Sequence, residues 1–189
     1  MADRLHLLAT AEVDIEGRMP WSSNATFLVN LSVDGEPVGQ AIYKPLRGER
    51  PLWDFEAGLY RREIAAYELS EMMGFHVVPP TIVRDGPLGE GSLQWFVEAD
   101  HQEHYFTIFE KRPDLHDAMR LMAVLDIVAN NTDRKSGHVL LGHDGLAREP
   151  GYGCQAPGAI QQIVLSLFGR LQAAKPLTNN NMTGCASTR

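Results

Sequence analysis

Residues 25–44 read ATFLVNLSVDGEPVGQAIYK: two apolar runs, 25–33 and 38–43, flank the pair Asp34-Gly35. Both residues of an Asp-Gly pair tolerate the left-handed backbone of a tight turn, so this stretch predicts a β-hairpin. Upstream, 11–15 is a short candidate strand and 17–24 (GRMPWSSN) is rich in turn formers. Downstream, 47–55 is a polar loop, and 61–73 (RREIAAYELSEMM) places Ala65, Leu69, Met72 and Met73 on one face before Gly74. That spacing with a glycine stop predicts an amphipathic helix. Val77-Val78-Pro79-Pro80 cannot continue it, and 81–84 with 92–98 (SLQWFVE) forms a second strand pair around a Gly/Pro turn.

Further on, Leu115, Ala118, Met122, Leu125 and Ala129 advance by three and four, which predicts a second helix over 114–129. The order is a β-rich part interrupted by one helix, then a helical part, an α+β pattern. From Ala147 the composition turns to Gly, Pro and small polar residues, except 160–171, where Ile160, Ile163, Val164, Leu167, Phe168 and Leu171 recur at helical spacing. One helix is expected there, followed by a disordered end.

With 189 residues, 44% hydrophobic and 22% charged, the chain can bury a core without metal or disulfide staples. Two cysteines, Cys154 and Cys185, exclude a disulfide framework and a four-cysteine zinc site. A formal charge of −7 and no basic run argue against a nucleic-acid or anionic-membrane surface. No apolar stretch reaches the roughly 18 residues of a spanning helix, and the N-terminus carries no leader pattern. The expectation is a cytoplasmic protein, in which the four Asn-x-Ser/Thr triplets at Asn24, Asn30, Asn130 and Asn181 have no glycosylation meaning. Met72, Met73, Met119 and Met122 are assigned to the core, and Trp21, Trp53 and Trp95 to packing.

Phosphate-loop, dinucleotide-binding, zinc-protease and nucleophile-elbow motifs are all missing from the sequence. His101, Glu103 and His104 lie together as HQEH, but their spacing does not set two ligands on one helix face. Three features remain. Lys44 ends an apolar strand, Glu63 lies near the start of the next helix, and 130–141 (NNTDRKSGHVLL) is a dense polar loop between apolar segments. Their order is that of a kinase-like site. A lysine on the third strand can hold nucleotide phosphates, a glutamate on the next helix can pair with it, and a loop aspartate, here Asp133, can accept a hydroxyl proton.

The segments YKPLRGERPLWDF, RREIAAYELSE, MGFHVVPPT, GPLGEGSLQWFVE and NNTDRKSGHVLL together resemble the bacterial, mostly actinobacterial, phosphatidylinositol 3-/4-kinase-like family, over about residues 5–145. The resemblance implies a protein-kinase-like fold: a β-rich N-lobe with one helix and a hinge over 1–100, the start of a helical C-lobe over 101–146, and a divergent tail over 147–189. It implies ATP and Mg²⁺, with Mn²⁺ as the substitute, and an unidentified hydroxyl acceptor. Ser22, Ser23 and Asn24 would tip the phosphate-covering loop, with Lys44 on the phosphates and Glu63 as its partner. Phe96, Val97 and Glu98 would form the hinge against adenine. Asp133 and Arg134 match the family's D-R-H-x-x-N catalytic loop, Lys135 replaces its His, and His138 stands in the place of the metal-binding Asn.

The family's Asp-His-Gly element, which supplies the main metal-binding Asp, is not found: LLGHDGL runs into AREPGYGCQAPG and no Asp follows Asp144. Two alternatives to an active phosphotransferase therefore stay open, a nucleotide-binding pseudokinase and a truncated or frame-shifted fragment.

Overall fold

The computed structural model describes residues 2–19, 24–50, 57–99, 102–131, 134, 136–139 and 141–142. Its centre is one antiparallel sheet of five strands, β1 (Glu12–Arg18), β2 (Phe27–Val33), β3 (Glu36–Pro45), β4 (Thr81–Gly86) and β5 (Gly89–Trp95), in the spatial order β1-β2-β3-β5-β4. The architecture is α+β, as expected. The hairpin read from Asp34-Gly35 is there: Val33 pairs with Glu36, and the two turn residues have φ of 53° and 82°. β2 begins two residues later than its apolar run, whereas β3 extends past its own at both ends, from Glu36 to Pro45, because ladder hydrogen bonds do not require apolar side chains.

Among the described residues four helices accompany the sheet: α1 (Ala2–Thr10), α2 (Tyr60–Met72), α3 (Tyr105–Lys111) and α4 (His116–Val128). The helix expected over 114–129 is α4 preceded by a 3₁₀ turn at Pro113–Leu115, where proline leaves no donor for the first turn to satisfy. Neither α1 nor α3 was expected from the sequence. α1 lies on one sheet face, burying Leu8 and Ala11 with Val29, Leu31, Ala41, Tyr43 and Leu93. Its C-terminal carbonyls, Leu8 and Ala11, accept hydrogen bonds from the Arg84 guanidinium of β4, and Arg4 stands 5.3 Å over the Trp95 ring. A nine-residue helix is marginal by itself, and these tertiary contacts are what hold it.

α2 crosses the opposite side of the sheet, where its buried residues are Tyr60, Arg62, Glu63, Ala66, Tyr67 and Ser70. This corrects the expected face. Met72 is 84% exposed, whereas Glu63 and Ser70 are inside because each has a partner: Ser70 Oγ accepts the Val77 amide at 3.0 Å, and Glu63 is described below. Periodicity sends polar residues outward, but a satisfied polar residue can be buried. A second core unites Ala66 and Tyr67 of α2, Val77 and Val78, Ile108 of α3, Val139, and Leu115, Met119, Met122 and Leu125 from the 3₁₀ turn and α4. It spans the boundary at residue 100 that separates the two expected lobes. Met119 and Met122 take the core role expected, and Met73 and Trp95 pack at its margins and at the α1 face respectively. Trp21, Trp53 and the expected tail helix over 160–171 lie outside the described residues. No helix among the described residues is long and apolar enough to cross a membrane.

Candidate functional site

Strand alternation turns Ala41 and Tyr43 toward α1 and therefore Lys44 toward α2. There its ammonium meets Glu63, Nζ to Oε1 2.5 Å, with the two side chains only 13% and 5% exposed. Lys44 is opposite Ser92 in the β3–β5 ladder, and Ser92 Oγ donates to the other carboxylate oxygen of Glu63 at 2.8 Å. Burial lowers the Lys44 ammonium from its usual range, against the opposing pull of Glu63. Burial likewise raises the Glu63 carboxyl, against Lys44 and the Ser92 hydroxyl. Each charge is thus maintained by its partner.

A small cavity of about 20 Å³ adjoins the pair, lined by Asn24, Gly48, Glu49 and Tyr60 together with Lys44 and Glu63. That is room for about one water. The backbone there is tight: a Cβ on Gly91 would come 2.2 Å from the Lys44 carbonyl oxygen, and one on Gly48 2.4 Å from Ala25 Cβ. Asn24 Oδ1 accepts the Arg50 amide at 3.0 Å. Asn24, Lys44 and Glu63, far apart in sequence, therefore do share one site. Ser22 and Ser23 lie outside the described residues.

After β5, which ends at Trp95 rather than continuing to residue 98, the Phe96 amide donates to the Gln40 carbonyl at 2.9 Å. Val97 is buried and Glu98 exposed, and Ala99 makes an isolated antiparallel bridge with Gly142. The expected hinge thus runs beside the strand edge with its Phe96 donor already engaged.

The polar loop is held by a residue that the sequence reading passed over. Asp126, in the last turn of α4, accepts from Arg134 Nε and Nη2, both at 2.7 Å, and from Asn131 Nδ2 at 2.7 Å. Asn131 N also donates to the Asp126 carbonyl at 2.7 Å. Arg134 is therefore a strut between helix and loop, its guanidinium spent on Asp126. The missed signal is that a lone carboxylate near the C-terminus of an apolar helix opposes the helix dipole, which marks it as having another partner. His138 sits in a 3₁₀ turn, Ser136–His138, and its carbonyl lies 3.5 Å from Arg134 Nη1. Among the described residues no three His, Cys, Asp or Glu side chains converge as metal ligands. Asp133 lies outside the described residues.

No protein-family model matches the chain. Among curated proteins it is similar to Protein Rv2133c of Mycobacterium tuberculosis (strain ATCC 25618 / H37Rv), 38% identical over 176 residues, covering 76% of this chain. The match spans 63% of that relative's own length.

Proposed function

We propose that the chain is an ATP-dependent phosphotransferase of the phosphatidylinositol 3-/4-kinase-like class, with a protein-kinase-like fold and a hydroxyl acceptor. The observation that carries this reading is the Lys44–Glu63 pair: a lysine of the third strand, buried, ion-paired with a glutamate of the following helix and braced by Ser92. An ammonium has three donors, and Glu63 occupies one of them. The others are directed by that contact, and the resemblance assigns them to phosphate oxygens. Glu63 favours the charged ammonium, against burial that pulls the other way.

The site balances one ammonium against two carboxylates, Glu49 and Glu63, so a triphosphate beside it requires a divalent counter-ion. Magnesium bound with the nucleotide supplies charge neutralisation of the transferring group. His138 is the candidate protein ligand carried over from the family pattern. A water-sized space admits a contact to one phosphate oxygen, so the body of the nucleotide lies outside this cavity. Asp133, as general base, takes the acceptor hydroxyl proton, and Asp126 and Arg134 tie its neighbouring residues to α4.

Calorimetric titration of ATP into the full chain, with and without Mg²⁺ or Mn²⁺, tests the proposal. Metal-dependent binding that Lys44→Met abolishes, and turnover that Asp133→Asn removes while binding stays, are the expected results. Binding that ignores both Lys44 and the metal refutes the assigned site. Metal-independent binding lost in Lys44→Met leaves a nucleotide-binding domain without catalysis.

A further inference from the structure

Glu49 lines the cavity beside Lys44 and Glu63, and its carboxylate makes two contacts of its own at the start of α2. Its carboxylate accepts from the Gly58 amide through Oε2 and from the Tyr60 amide through Oε1, both at 2.7 Å. These are the amides at the entry to α2, whose N-cap residue, Leu59, supplies no capping side chain. The first amides of a helix lack internal partners and carry the positive end of its dipole, so a carboxylate there is stabilising. This one comes from outside the helix, from the segment that follows β3.

That segment is itself fastened. The Gly48 carbonyl accepts from the Ala25 amide at 2.9 Å, and the Arg50 amide donates to Asn24 Oδ1 at 3.0 Å, so the residues on both sides of Glu49 are tied to the segment just before β2. Gly48 packs so close to Ala25 that no larger residue fits there. Glu63 lies three residues beyond Tyr60, about 4.5 Å further along the helix axis. A shift of the first turn of α2 therefore moves Glu63 relative to Lys44 directly. Tyr60 is anchored a second time through its hydroxyl, which contacts Glu90 of β5.

We propose that Glu49 is the positioning residue of the Lys44–Glu63 pair, holding the start of α2 so that Glu63 reaches the ammonium. This deepens the phosphate-site reading and rests on it only for its consequence in nucleotide binding; the mechanical claim stands on the hydrogen bonds alone.

The test is the reactivity of Lys44 toward a pulse of acetic anhydride, read by peptide mass spectrometry on the full-length chain. Lys111, exposed and paired with Glu103, serves as the internal reference. In Glu49→Ala the acetylation rate of Lys44 rises at least about tenfold, equivalent to about 1.4 kcal/mol of lost protection, while Lys111 stays within about twofold. Glu49→Gln keeps one oxygen acceptor and falls between wild type and Glu49→Ala, a graded rescue that general loosening would not give. Unchanged Lys44 reactivity in Glu49→Ala with native circular dichroism overturns the proposal. Should that variant not fold, unchanged Lys44 reactivity in Glu49→Gln overturns it equally. ATP titration of the same samples separates the two readings: wild type that protects Lys44 yet binds no ATP refutes the nucleotide assignment and leaves the role of Glu49 intact.

Discussion

Replacing Lys44 with methionine strands Glu63, and the structure sets the size of the effect. With 13% and 5% exposure this pair is in the buried regime, where losing one partner costs about 3–5 kcal/mol, rather than the surface regime of about 0–1. Ser92 still donates to one carboxylate oxygen, so the lower half of that range applies at pH 7. For a chain of this size that is a fall in Tm of roughly 6–15 °C. The pH dependence follows from Glu63, whose carboxyl burial raises and Lys44 lowers. Without Lys44 the folded-state pKa moves further above the usual 4.5, so between 4.5 and that value the folded chain binds more protons than the unfolded one. The stability of the variant therefore falls as pH rises through this window, and its deficit against wild type narrows on acidification toward about pH 4.5. Lys44→Met/Glu63→Gln, which removes both charges and keeps an acceptor for Ser92, should recover about 2 kcal/mol of the loss at pH 7. Urea unfolding of the three proteins followed by circular dichroism at pH 5 and pH 7 measures all of this. A cost below about 1 kcal/mol for Lys44→Met, or a deficit that widens on acidification, would refute the reasoning.

Two further changes probe the supports of the site. Gly91→Ala places a methyl 2.2 Å from the Lys44 carbonyl oxygen, in the strand pair that carries Lys44 and Ser92, and should destabilise by at least about 2 kcal/mol in thermal unfolding. Asp126→Ala removes the carboxylate that accepts from the Arg134 guanidinium and the Asn131 side-chain amide; a loss of about 2–4 kcal/mol is expected, with faster backbone hydrogen exchange at Asn131 as the loop loosens, and a variant as stable as wild type would show the strut to be idle.

The sequence carried the sheet well and the helices unevenly. Asp34-Gly35 and the alternating runs around it specify a hairpin through local turn chemistry and side-chain period, and both are present as read. α4 was legible because its buried stripe is apolar throughout. α1 was not, since its nine residues are held by Arg84 and a core contributed by three distant strands, β2, β3 and β5, none of it a local signal. The face of α2 was misread for a related reason: Glu63 and Ser70 count as outward residues until Lys44, Ser92 and the Val77 amide are brought to them.

The candidate site divides in the same way. Residue types and order by themselves singled out Lys44 and Glu63, because a lysine closing an apolar strand and a carboxylate in the next first helical turn are patterns within a few residues of chain. That the two meet, that Glu49 grips the start of α2, and that Asp126 holds Arg134 were decided only by the tertiary structure. Local sequence sets turn type and periodicity. Which buried charge finds its partner depends on segments 8 to 19 residues apart being packed together, where leaving either charge alone would cost more than the fold can spare.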